Sequence, residues 1–77
     1  MIQVHDVNKI DQEVYNNPVD GCIVECVLKS NAGYYVGKAS YYEDCNCWEP
    51  YSRISGYYKT KEEAVKAMHN MSYVYSI

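Results

Sequence analysis

Cys45 and Cys47, two residues apart, come nearest in type and spacing to reactive chemistry. On an extended segment such a pair points the same way and can share one metal ion. A closed zinc site takes four ligands, so two more would have to come from Cys22, Cys26, His5 or His69. Cys22 and Cys26 are separated by roughly 13 Å if they share a strand, so at most one of them can join. No second closely spaced Cys or His pair exists, whereas zinc ribbons carry two. No metal and no other cofactor is therefore expected. A Cys–His nucleophile would need His5 or His69 beside Cys45 or Cys47, and no Ser, Asp or Asn arrangement completes a triad. Gly21, Gly33, Gly37 and Gly56 are scattered and form no phosphate loop. The chain reads as non-enzymatic.

The stronger signal is a binding surface. Trp48, Tyr51 and Arg53 are the three residue types most enriched at interface hot spots, and Glu43, Asp44 and Glu49 flank them. An aromatic anchor rimmed by carboxylates suits a basic protein surface, such as one that holds nucleic acid. Tyr34 and Tyr42 join this candidate set from an apolar strand face. The competing reading has Trp48 plugging one end of the core and the acids as solvated loop charge.

The element that must organise these residues is TKEEAVKAMHNMS at 60–72. Thr60 is a good N-cap, and Glu63 lies where its carboxylate can reach back to the cap. Ala64, Val65, Ala67, Met68 and Met71 form an apolar stripe, with Glu62, Lys66, His69 and Asn70 opposite. A helix of about three turns needs a surface to pack on. Residues 22–29 and 34–42 supply it as a hairpin, in a register that opposes Leu28 to Tyr35, Cys26 to Gly37, Val24 to Ala39 and Cys22 to Tyr41. That apolar face is expected under the helix, with Met68 and Ala64 settled over Gly37 and Ala39. Tyr34, Val36 and Tyr42 then join Ile23 and Val27 on the far face, which needs cover from the N-terminal segment, a partner or a second copy. Residues 43–49 read as an acidic irregular loop, and about 51–58 as a third strand. Ile2, Val4 and Val7 suggest a short strand, Asn8 caps a helical turn, and 73–77 alternates as a final edge strand. The expected fold is α+β: a small three- to four-stranded antiparallel sheet against one C-terminal helix.

With 77 residues the chain is expected to form a single domain with a thin core. A net charge of −3 argues against the concentrated basic face of a nucleic-acid binder. Ten Tyr beside one Trp and no Phe place the rings at the boundary between core and water. The N-terminus lacks the pattern of a signal peptide, and no apolar run approaches the roughly 20 residues of a membrane span. A cytoplasmic location with four reduced cysteines is expected.

The segment PYSRISGYYKTKEEA at 50–64 resembles a recurrent segment of small tailed-phage proteins. Its GYYKTKEEAVKAM part is also similar to the strand-to-helix junction of the AP2-like arm-binding domains of phage integrases, which set a three-stranded antiparallel sheet against one C-terminal helix. The first resemblance implies a phage-encoded protein acting in the host cytoplasm. Joined to the tyrosine-rich face and the acidic Trp48 segment, it leads to an inhibitor that occludes a basic host protein, such as a defence complex of the anti-CRISPR target type. The second implies a small DNA-binding accessory module. Here, however, Lys29, Lys38 and Arg53 stand against Glu25, Glu43, Asp44 and Glu49, so nucleic acid is not expected as partner. The protein is read as a monomer or a homodimer.

Overall fold

The computed structural model describes residues 4–71. Four strands, β1 (Val4–Val7), β2 (Ile23–Ser30), β3 (Gly33–Tyr42) and β4 (Cys47–Arg53), form an antiparallel sheet in sequence order. A 3-10 turn (Lys9–Asp11) and a short helix α1 (Gln12–Asn16) follow β1, and α2 (Lys61–Asn70) closes the described chain. The fold is thus α+β, with both the expected sheet and the expected helix. The alternating segment at 73–77 lies outside the described residues.

The hairpin register is the one the alternation dictates. Leu28 faces Tyr35, Cys26 faces Gly37 and Val24 faces Ala39, and the Tyr41 N–H donates to the Cys22 carbonyl at 2.9 Å. Pairing continues to Ser30 and Gly33, so Asn31 and Ala32 alone make the turn. Gly33 adopts φ 134°, and a side chain there would start 2.6 Å from the Tyr58 carbonyl oxygen. Glycine is required at that point.

The two faces of the hairpin are covered in the opposite sense to the one expected. Ala64 and Met68 of α2 pack on Val27 and Val36, with Tyr34, Ile54, Tyr58 and Val65 around them. They do not settle over Gly37 and Ala39. The face of Val24, Cys26, Leu28 and Ala39 instead receives Val4 and Val7 from β1 and the rings of Tyr15, Tyr35 and Trp48. The return path of the chain decides this. After β4 the Ile54 and Ser55 N–H groups both donate to the Val36 carbonyl, and Tyr34 and Tyr58 exchange backbone bonds of 2.8 and 2.6 Å. These bonds hold residues 54–58 against β3 and deliver α2 to the side that carries Tyr34 and Val36. Buried Ser55 completes the anchor: its hydroxyl accepts from the Val36 N–H at 2.9 Å and donates to the Gly56 carbonyl at 2.7 Å.

The third strand also begins earlier than expected, at Cys47 rather than near Tyr51. Pro50 is tolerated because β4 lies at the edge of the sheet, where a missing N–H breaks no inner ladder. A bulge between the pairs Lys38–Ser52 and Ala39–Pro50 absorbs Tyr51. The opposite edge is bulged too, between Val4 and Asp6, so Val4 and Val7 reach the same face. Beyond β1, the Asn8 N–H donates to the Glu25 carbonyl and an Asp11 carboxylate oxygen accepts from the Glu25 N–H. These bonds continue the edge of β2 where β1 stops.

Helix α2 is capped as the sequence requires, the Thr60 hydroxyl accepting from the Glu63 N–H at 3.2 Å. The Glu63 carboxylate accepts from that same hydroxyl and not from the cap's backbone. Met71 is not part of the buried stripe: it adopts a left-handed conformation at the C-cap and is 77 % exposed. His69, on the exposed side of α2, has Nε2 3.8 Å from a carboxylate oxygen of Asp6 on β1. No helix among the described residues is long and apolar enough to cross a membrane.

Candidate functional site

The turn joining β3 to β4 holds the densest group of chemically distinctive side chains. Tyr42 pairs with Cys47, leaving Glu43, Asp44, Cys45 and Asn46 to reverse the chain. The Asn46 N–H donates to the Glu43 carbonyl at 3.2 Å, and Asn46 takes φ 50°. Asparagine tolerates that left-handed conformation better than most residues. Its side-chain oxygen accepts from the Tyr41 hydroxyl at 2.8 Å, and the Glu43 N–H donates to Asp20 at 2.9 Å. Asp20, Glu43, Asp44 and Glu49 make this end of the sheet acidic, and among the described residues none of them has a cation at ion-pair distance. Asp20 is an addition to the acids expected from the sequence. Nothing local marks it, because it reaches the turn across 23 residues of chain.

The expectation of four reduced cysteines fails at this turn. Cys45 and Cys47 are joined as a disulfide, because the left-handed Asn46 folds the chain until their Cα atoms are 5.2 Å apart. Cys22 and Cys26 are free. The donor atoms of Cys45, Cys47 and Glu49 lie within 4.8 Å of one another, but the sulfurs are spent on each other and do not make a thiolate donor set. Cys26 is wholly buried, and desolvation, followed by the charges of Glu25 and Asp11, pushes its pKa up to about 12.

The predicted contact residues are divided over the molecule. Glu43, Asp44 and Tyr42 stand exposed at the turn. Trp48 faces inward on β4, half-buried, stacked on Tyr15 at 5.2 Å and tilted against Tyr41 at the same distance. It helps to close the core and to join α1 to the sheet. Tyr34 lies at the far end of β3 from Tyr42, roughly 26 Å away by strand rise. It is half-buried near α2, edge-on to His5.

Glu49, Tyr51 and Arg53 follow one another along β4, and the outer half of the strand, from Pro50 to Arg53, is exposed throughout. Tyr51 is 60 % exposed. Arg53 lies over the Tyr57 ring at 4.8 Å and donates to the Tyr57 hydroxyl at 2.6 Å. Tyr57 in turn meets Tyr35 edge-on at 5.7 Å. Together with Pro50 and Ser52 these groups line an open hollow of about 440 Å³. Burial, reinforced by Tyr57 and Cys26, raises the Tyr35 pKa against the opposing pull of Arg53, so its hydroxyl keeps its proton. Stacking and hydrogen bonding are the chemistry this hollow offers. Tyr57 is the member the sequence does not give away. It lies beyond the strand, and the path of residues 54–58 alone brings it beside Arg53.

Compared with known proteins, the chain matches no family model, no curated protein and no solved structure. Each described tyrosine is half-buried or exposed, which agrees with rings set at the boundary of a thin core.

Proposed function

We propose that this is a non-enzymatic binding protein that grips a partner protein along β4 and the acidic β3–β4 turn. One observation supports the reading above the rest: an exposed edge strand presents Tyr51 and an arginine already held by Tyr57, and the turn at its start carries Glu43 and Asp44, which have no cation at ion-pair distance among the described residues. An arginine held in place loses little rotamer freedom on binding, and Arg and Tyr are among the residue types enriched at hot spots. The carboxylates favour a partner with a basic surface. Pro50 and the bulge at Tyr51 interrupt the edge, so contact runs through side chains and not by adding a strand. The phage-like segment at 50–64 gives this reading its setting: a phage-encoded protein that occludes a host factor in the cytoplasm, such as a defence nuclease that itself holds nucleic acid.

The test is retention of bacterial lysate proteins on the immobilised chain, compared with a variant carrying Tyr51→Ala, Arg53→Ala, Glu43→Ala and Asp44→Ala. A retained species should lose at least about 30-fold in affinity, the equivalent of about 2 kcal/mol for one hot spot. Undiminished affinity in the folded variant refutes this surface. Trp48 is left intact because it packs on Tyr15 and its loss would disturb the fold. The integrase-arm reading has less support. Those domains use an open sheet face, whereas here α2 covers one face, and on the other Val24, Cys26, Leu28 and Ala39 are buried among Val4, Val7 and the rings of Tyr15, Tyr35 and Trp48. Self-pairing through Tyr34, Val36 and Tyr42 loses its basis for the same reason, since Val36 is wholly buried.

A further inference from the structure

The binding reading leaves the two sulfurs of the β3–β4 turn unused. We infer that Cys45 and Cys47 are a reversible dithiol–disulfide couple that exchanges with low-molecular-weight thiols through Cys45. Access is asymmetric: Cys45 is exposed on the turn, whereas Cys47 is 6 % exposed at the start of β4. An incoming thiolate therefore bonds to the Cys45 sulfur, and Cys47 is the leaving group. Both oxidation states fit one backbone. The Tyr42 carbonyl oxygen is 3.7 Å from Cys45 Sγ and Glu49 Oε1 is 3.8 Å from Cys47 Sγ, so each sulfur, once reduced, has an acceptor for its S–H. A bridge between residues two apart also closes almost no chain, and so it restrains the unfolded state very little. Opening it should leave the fold intact, as a working couple requires.

The exchange balances in two steps. A thiolate RS⁻ forms a bond to Cys45 Sγ as the Cys45–Cys47 bond breaks. Cys47 Sγ departs with the electron pair, takes a proton relayed from water by Glu49, and then donates its S–H to that carboxylate. A second RS⁻ attacks the sulfur of the bound R group, releasing RSSR and leaving Cys45 as a thiol after protonation. The small thiols lose two electrons and the protein disulfide gains them. In reverse, the Cys45 thiol gives its proton to water and its thiolate attacks RSSR, displacing one RS⁻. Cys47 then attacks Cys45 Sγ, its proton passing through Glu49 to water, and the second RS⁻ leaves. Glu49 is a positioning and proton-accepting group for the second sulfur. Cys26 takes no part, being wholly buried within the sheet.

The test uses the whole chain equilibrated in glutathione buffers from reducing to oxidising, quenched with acid, alkylated and peptide-mapped. The pair should pass from fully alkylated to fully protected across the series, with an unchanged far-ultraviolet circular dichroism spectrum. With oxidised glutathione, Cys47→Ser should accumulate a stable adduct on Cys45, whereas Cys45→Ser should form little adduct on Cys47. Glu49→Gln should release glutathione from the Cys45 adduct more slowly than the parent. A pair alkylated at every ratio, or protected at every ratio, overturns the inference. So does an adduct that forms equally at Cys47, or a fold lost on reduction. An unchanged release rate in Glu49→Gln removes the role given to that carboxylate.

Discussion

Raising the pH should weaken this protein through one buried thiol. Cys26 lies at the centre of β2, opposite Gly37, with no exposed surface. Its pKa rises from 9.0 to about 12, first because burial penalises the thiolate and then because Glu25 and Asp11 are near. The unfolded chain therefore gives up this proton from about pH 9, whereas the folded chain holds it until about pH 12. The contribution is whole below the unfolded value, shrinks as pH rises from there, and is gone above the folded one. The loss runs at about 1.4 kcal/mol per pH unit, reaching roughly 4 kcal/mol in all. A domain of 77 residues has only about 4–12 kcal/mol to lose. Tyrosines and lysines also titrate in this range, so the quantity to measure is a difference. Urea unfolding of the parent and of Cys26→Ala, followed by circular dichroism from about pH 7 to about pH 11, isolates the one thiol. The parent's stability relative to Cys26→Ala should be level below pH 9 and fall by about 1.4 kcal/mol per unit above it. A difference that stays constant to pH 11 would refute the account of Cys26 as a desolvated thiol held protonated. Below pH 9 the same burial should make Cys22 alkylate far sooner than Cys26, since the Cys26 thiolate is about a thousandfold rarer than at an ordinary thiol.

Three further substitutions probe the elements that place the site. Met68→Ala empties a wholly buried position against Val27 and Val36 and should cost about 2–5 kcal/mol in urea unfolding, a large part of the stability of so small a domain. Ser55→Ala strands the buried Val36 N–H and should cost about 1–3 kcal/mol, with faster hydrogen exchange at residues 54–58 as its signature. Gly37→Ala would set a methyl 2.5 Å from the Ser52 carbonyl oxygen and 3.0 Å from the Tyr35 ring. It should cost about 1–3 kcal/mol and shift the resonances of Tyr35, because β4 must yield.

Where local physics decides, the sequence is legible. The side chains along 22–29 and 34–42 indicated the register, since a slip by one residue would have set Lys38 opposite Cys26 and Ser40 opposite Val24. Thr60 and Glu63 marked the start of α2 through a hydrogen bond that needs only four consecutive residues. The covering of the faces was not legible, because both carried enough apolar residues to bury. Hydrogen bonds of Ile54, Ser55 and Tyr58 to a strand some 20 residues earlier settle the matter. The start of β4 was hidden by its composition. Acidic residues and Pro50 read as loop, yet an edge strand needs neither a full ladder nor a second buried face. For the site, the exposure of Tyr51, Arg53, Glu43 and Asp44 agrees with their types and neighbours, whereas Trp48 and Tyr34 turn toward the interior. The sulfur bridge rests on the φ of Asn46, which residue identity permits without dictating.

The central strands divide their loyalties. Cys26 and Val27 are bonded neighbours, yet each belongs to a separate interior, and the two interiors share only main chain. A change at 27 will be felt at 68 sooner than at 26, because coupling follows touching side chains and not adjacency in the chain. Either side can therefore drift, or be redesigned, while the other keeps its fit. The aromatic side could be altered to retune the grip of β4 without asking the helix to repack.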